Sequence, residues 1–107
     1  MNKLVISPEA ARDLEKINQY IIYELKNPSA ARQVVRSITK DLRILEHYAE
    51  AGPSVAALTG YSSDLRILVS GNYIAAYKVE GNTVLVARVI NARQDYINVL
   101  FGDNISP

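Results

Sequence analysis

The chain has 107 residues, 49% of them hydrophobic and 21% charged, with 12 Lys and Arg against 11 Asp and Glu and no cysteine. That length and composition fit one globular domain spanning residues 1–107, with a modest core. The missing cysteines exclude disulfides and thiolate-bound zinc, the single His47 excludes a histidine-rich metal site, and a net charge of +1 gives no chain-wide attraction for a polyanion.

The opening MNKLVISP lacks an apolar stretch of signal-peptide length, which favours the cytoplasm. The longest apolar run, around VLVARVI, is short and holds an arginine, so no membrane partner is expected. Leu4–Ile6 is a short strand candidate. Ser7, Pro8 and Glu9 then read as a helix start, with Ser7 at the N-cap, Pro8 at the first helical position and an acid at the positive end of the dipole. Ala10, Leu14, Ile17, Ile21 and Leu25 form one helical stripe. Asn27-Pro28-Ser29 breaks it and opens a second helix, whose stripe is Ala31, Val34, Val35, Ile38, Leu42 and Leu45. So short a connection predicts an antiparallel helical hairpin. Between residues 9 and 50 lie seven basic and seven acidic side chains, a solvated face. His47, ending the second helix, is placed to interact with its negative end.

Residues 49–63, AEAGPSVAALTGYSS, read as a long loop packed at most by Val55 and Leu58. Beyond it the apolar period becomes two. Leu65–Ser70, Tyr73–Glu80 and Thr83–Ile90 form a three-stranded meander joined by Gly71-Asn72 and Gly81-Asn82, both two-residue hairpin signals. Counting from the turns sets Arg66 opposite Tyr77 and Ser70 opposite Tyr73. In the second hairpin it sets Tyr77 opposite Val86, Ala75 opposite Arg88 and Tyr73 opposite Ile90.

One sheet face then collects Leu65, Ile67, Val69, Ile74, Ala76, Leu85, Ala87 and Val89, and is expected to pack on the helical hairpin. The other collects Arg66, Leu68, Ser70, Tyr73, Ala75, Tyr77, Val84, Val86, Arg88 and Ile90. Two arginines and two tyrosines near its centre have two readings. They either cover an otherwise wet sheet, their stems shielding apolar area, or form a cationic, aromatic groove for phosphate, bases or a partner segment. Its apolar members Leu68, Val84, Val86 and Ile90 are a candidate docking patch. In VINARQDY (89–96), Asn91 and Gln94 resemble a capping box opening a short C-terminal helix anchored by Ile97, Leu100 and Phe101. Arg93 would sit in its first turn against the dipole, which costs about 0.3–1 kcal/mol and suggests either an anion-binding role or a salt bridge such as one to Asp95.

The stretches ISPEAARDLEKINQYI, NPSAARQVVRSITKDLRIL, AGPSV, LRILVSGNYIAAYKV and VARVINARQDY follow one another over nearly the whole chain. In that order they resemble the RelE/ParE superfamily of bacterial type II toxins. The resemblance implies an α+β fold: a short N-terminal strand, an antiparallel helical hairpin packed on a mostly antiparallel sheet, and a short C-terminal helix. It also implies a growth-arresting toxin held in the cytoplasm in a hetero-oligomer with a cognate antitoxin encoded next to it, with no cofactor and no metal. RelE-like members cleave mRNA on the ribosome as metal-free endonucleases; ParE-like members poison DNA gyrase.

Metal-free RNA cleavage needs cations around the phosphorane and a proton donor and acceptor. Arg66, Arg88 and Arg93 are the candidate charge-stabilising residues, and Asp95 and Tyr96 the candidate proton-transfer groups; Tyr73 and Tyr77 are candidate binding residues. An unperturbed tyrosine, with a pKa of about 10, is a poor base at neutral pH. Arg66 matches a basic family position on its strand, and Arg93 matches the arginine after the last strand. Leu68 and Ile74 stand where RelE-like nucleases carry further basic residues, Asn91 where many relatives have histidine, and Tyr96 near the C-terminal tyrosine of some nucleases. The pattern LRILVSGNYIAAYKV…VINAR is accordingly closer to the ParE branch, with RelE-like cleavage the alternative. A non-toxic module that only binds a partner is a third reading.

Overall fold

A computed structural model describes residues 1–60 and 62–101, apart from the side chain of Ile97. The elements run β1 (Lys3–Ile6), α1 (Pro8–Tyr23), α2 (Pro28–Leu42), a 3-10 turn (Arg43–Glu46), α3 (Val55–Thr59), β2 (Arg66–Ser70), β3 (Tyr73–Glu80), β4 (Thr83–Asn91) and α4 (Tyr96–Phe101). Ser7 caps α1, its hydroxyl accepting from the Ala10 N–H, and Asn27 caps α2 by accepting from Ala30 N–H, each cap followed by proline at the first turn. The four strands form one sheet in the order β1-β4-β3-β2, with β1 parallel to β4 and the other pairs antiparallel. Gly71 and Gly81 carry positive φ in the two tight turns, the conformation that a type II′ turn requires at its first central residue.

The helical hairpin covers the sheet face opposite to the one expected. Ala10, Ile38, Leu42 and Leu45 pack with Ala75, Tyr77, Val84, Val86 and Val89, flanked by Leu14, Ile17, Val34 and Leu68. The other face is covered in part by α3 and α4. There Val55, Ile67, Ile74 and Ile90 form a second cluster with Leu65, Tyr96, Val99 and Phe101. Alternation sorted the faces correctly along β2 and β3 but not their covers, because both faces are apolar and both are packed. The supposed docking patch is core as well: Val84, Val86 and Ile90 are buried.

The first hairpin has the counted register, Arg66 opposite Tyr77 through Ser70 opposite Tyr73. The second departs from it. Tyr77 pairs with Val86, but Ala76 pairs with Arg88, Ala75 with Val89 and Tyr73 with Asn91, leaving Ala87 as the extra residue of a β-bulge. The bulge inverts the parity of β4. Val84 and Val86 face the helices before it and Val89 faces them after it, while Ile90 enters the second cluster. The β1 side of β4 is sealed at this point by the start of α1. Ser7 N–H donates to Val86 O and Ser7 Oγ donates to Ala87 O at 2.8 Å.

Residues 49–63 are more ordered than a long loop among those described. Ser54 caps α3 through Ala57 N–H, Val55 is buried, and Leu58 is exposed. The segment before α3 runs beside β2, with Ile67 N–H donating to Pro53 O and Val55 N–H to Leu65 O. Gly52 makes this approach possible: a Cβ there would overlap the Ile67 carbonyl and stand 3.0 Å from the Tyr77 hydroxyl. Tyr61, within the same stretch, lies outside the described residues.

Candidate functional site

Arg66 and Tyr77 do not open onto a groove. Tyr77 is fully buried, and its hydroxyl accepts a 2.9 Å hydrogen bond from Gly52 N–H, which is how a polar tip enters the core. Burial raises the Tyr77 hydroxyl above the usual tyrosine range, although the Gly52 hydrogen bond and the nearby Arg66 oppose the shift. The Arg66 guanidinium turns off the end of the sheet to donate to Gly52 O at 2.8 Å and Glu50 O at 3.5 Å. Both side chains hold the segment before α3 onto β2.

The turn after β4 also differs from the expected helix start. Asn91 Oδ1 accepts from Arg93 N–H at 2.8 Å and Gln94 Oε1 accepts from Asn91 N–H at 3.3 Å, so the two side chains do bond as a capping pair. They close a turn rather than a helix, and α4 begins only at Tyr96. Asp95 takes the capping position there, its carboxylate accepting from Asn98 N–H and from the Asn98 side-chain amide. Tyr96 packs into the second cluster. Of the expected anchors Phe101 packs there too, whereas the Ile97 side chain lies outside the described residues.

What the fold does assemble is a cleft of about 560 Å³ between the second half of α1 and the end of β4. Asp13, Lys16, Ile17 and Tyr20 line it from α1, Tyr73 from β3, Arg88 to Asn91 from β4, Arg93 and Gln94 from the turn, and Val99 from α4. Arg88, Arg93 and Tyr73 are thus brought together; Arg66, Tyr77, Asp95 and Tyr96 lie outside. Asp13, Lys16 and Tyr20 were overlooked in the sequence. Their signal was present as spacing: 13, 16, 17 and 20 fall on one helical face beside the apolar stripe.

The charges in the cleft are of two kinds. Asp13 is almost buried and accepts from Arg88 Nε at 2.7 Å, Arg88 Nη2 at 3.1 Å and Val89 N–H at 2.9 Å. The fork matches the carboxylate in the bidentate arrangement, and the hydrogen bond from Arg88 to Asp13 raises the arginine pKa further. That pair is internally neutral. Lys16 and Arg93 form no ion pair among the described residues, so the salt bridge from Arg93 to Asp95 is not made. Burial, and secondarily Tyr20, push the Tyr73 hydroxyl above the ordinary tyrosine range. The cleft therefore offers two free cations and two tyrosines beside the apolar side chains of Ile17 and Val99, with Val89 and Ile90 buried behind them. Among the described residues no group of three His, Cys, Asp or Glu side chains is placed to hold a metal ion, and no helix is long and apolar enough to cross a membrane.

The sequence profile of the ParE toxins of type II toxin–antitoxin systems (parDE) matches residues 4–96. Among solved structures, a chain of the chromosomal ParDE toxin–antitoxin system of P. aeruginosa is 22% identical with a TM-score of 0.72, the match covering 85% of this chain and 96% of that one. A chain of the RelBE2 toxin–antitoxin complex of Mycobacterium tuberculosis is 16% identical with a TM-score of 0.47, over 84% of this chain and 96% of that one. No curated protein matches significantly. The first of these structures has a similar fold, and the family profile runs from within β1 to the start of α4. The chain belongs to the ParE toxin family of type II toxin–antitoxin systems.

Proposed function

We propose that this toxin arrests bacterial growth by inhibiting DNA gyrase through a binding surface, and that an antitoxin encoded next to it holds it silent. The observation that supports this reading is how the ionisable groups of the cleft are used. Asp13, the carboxylate in the cleft, is occupied by three donors, and the Tyr73 hydroxyl is held more firmly protonated than a free tyrosine. Cleaving RNA would ask one of these groups to take a proton from a 2′-hydroxyl near neutral pH, a task matched by a pKa close to 7. Lys16 and Arg93 are free to make charge-assisted contacts with a macromolecular surface, and such contacts require no proton transfer. Family membership favours the same branch.

Induction of the toxin alone in a bacterium should arrest growth with filamentation, an SOS response and gyrase-linked DNA breaks. Cleaved mRNA at ribosomal A sites, with protein synthesis failing first, would instead establish the RelE mode. Arg93→Ala is expected to abolish the arrest while leaving the thermal midpoint unchanged, since the Arg93 side chain is exposed and forms no ion pair among the described residues.

A further inference from the structure

The arm that carries Arg93 is ordered beyond what its exposure requires. Ala92, Arg93, Gln94 and Asp95 are all exposed, so water could serve the backbone N–H groups of this stretch. Instead, four consecutive N–H groups have partners within the protein. Asn91 N–H donates to Gln94 Oε1 at 3.3 Å, and Ala92 N–H donates to Asn72 O, in the first hairpin turn, at 2.8 Å. Arg93 N–H donates to Asn91 Oδ1 at 2.8 Å, and Gln94 N–H donates to Asn91 O at 3.0 Å. Asn91 takes part in all of these bonds but the one to Asn72. It is half-buried at the end of β4 and pairs with Tyr73, so the arm starts from a residue fixed in the sheet. An asparagine carboxamide reaches the N–H two residues on, the Asx turn that an aliphatic side chain cannot close.

This order supports neither core cluster, since residues 91–95 belong to neither, and α4 has its own cap in Asp95. What the turn holds still is the backbone of Arg93, whose exposed side chain lines the cleft and forms no ion pair among the described residues. Backbone fixed in advance does not have to be ordered when a partner binds, and binding is stronger by that amount. We propose that Asn91 is a positioning residue: its Oδ1 bond to the Arg93 N–H holds the arm in the conformation that presents Arg93 to the target of the toxin. Gln94 supports it by accepting from the Asn91 N–H. Potency then depends on a neutral side chain that acts through its neighbour. This rests on the reading of Arg93 as the residue that engages the target, and not on which target that is.

The test is growth arrest by the full chain under a titratable promoter, with toxin levels measured by blotting, beside gyrase supercoiling inhibition by the same purified proteins. Asn91→Ala should raise the half-arresting toxin level about fivefold to tenfold, the equivalent of one net hydrogen bond. Asn91→Ser keeps a short neutral acceptor for the same N–H and should stay within about twofold of wild type. Ser54→Ala removes a comparable side-chain bond from the exposed start of α3, outside the cleft, and should also stay within about twofold. Circular dichroism melts show whether Asn91→Ala keeps its fold; if it does not, Gln94→Ala replaces it, with a loss of potency again expected. Asn91→Ala at wild-type potency while Arg93→Ala is inactive would overturn the inference and leave Arg93 as the contact residue. So would Asn91→Ser as weak as Asn91→Ala, or an equal loss in Ser54→Ala, since potency would then follow stability alone. Full potency of Arg93→Ala would remove the reading of Arg93 and this inference with it. Arrest that depends on Asn91 and Arg93 without gyrase inhibition would sustain the inference and displace only gyrase as the target.

Discussion

Replacing Asp13 by alanine removes three accepted hydrogen bonds at once, and their surroundings set the cost. Val89 N–H lies on the side of β4 that β1 no longer covers, and without Asp13 it becomes a buried donor with no acceptor, which costs about 1–3 kcal/mol. The Arg88 side chain is 33% exposed, so water recovers part of its solvation and its share is discounted to about 1 kcal/mol. Asp13→Ala should therefore destabilise the fold by about 2–4 kcal/mol. Arg88→Ala leaves a 10%-exposed carboxylate holding one backbone donor and should cost about 1.5–3 kcal/mol. The double variant should cost less than the sum, with a coupling of about 1–2 kcal/mol. Urea unfolding at neutral pH reads this directly: for a slope of about 2 kcal/mol per molar, the Asp13→Ala midpoint falls by about 1–2 M. Additive single variants, or Asp13→Ala within about 0.5 kcal/mol of wild type, would refute the claim that this pair fastens α1 to β4. Arg88 would then return to the set of exposed cations available for function.

Other expectations follow from the same contacts. Gly52→Ala should destabilise by about 2–4 kcal/mol in a chemical melt, because its Cβ meets the Ile67 backbone and the Tyr77 hydroxyl rather than a yielding side chain. Tyr77→Phe leaves Gly52 N–H without its acceptor and should cost about 1–3 kcal/mol. Since burial raises the Tyr77 pKa, its neutral form contributes stability that is fully present below the unfolded value of about 10 and is lost as pH rises toward the folded value. Urea midpoints between neutral and strongly alkaline pH should thus fall less steeply for Tyr77→Phe than for wild type. Ser54→Ala removes the cap of α3 and should cost about 1 kcal/mol, visible as a lowered thermal midpoint.

The caps, the helical hairpin and the first strand register were readable because each is decided within a few residues: Ser7 with Pro8, Asn27 with Pro28, and the glycine turns. Which face the helices cover was not readable from alternation. Short α3 and α4 carry enough apolar surface through Val55, Val99 and Phe101 to cover the second face, and neither is long enough to announce itself by periodicity. The arginines misled for a related reason. Arg66 and Arg88 occupy sheet positions, but their long side chains end at the Gly52 carbonyl and at Asp13, partners 14 and 75 residues away in sequence. Arg93 was expected in the first turn of a helix, against its dipole; it lies instead in the turn before α4, exposed and without an ion pair among the described residues.

The extra residue at Ala87 makes register, more than composition, the vulnerable property of β4. Pairing without the bulge would set Ala87 opposite Ala76 and Val89 opposite Ile74, and so exchange the destinations of everything after Val86. The side chain now buried beneath the helices would turn toward α4, and the one beneath α4 would turn toward the helices. Conservative substitutions at these positions change a volume, whereas closing the bulge at constant length would re-address two cores and the arm that carries Arg93. Deleting Ala87, by contrast, would remove the bulge and leave Arg88, Val89 and Ile90 opposite Ala76, Ala75 and Ile74 as they are now.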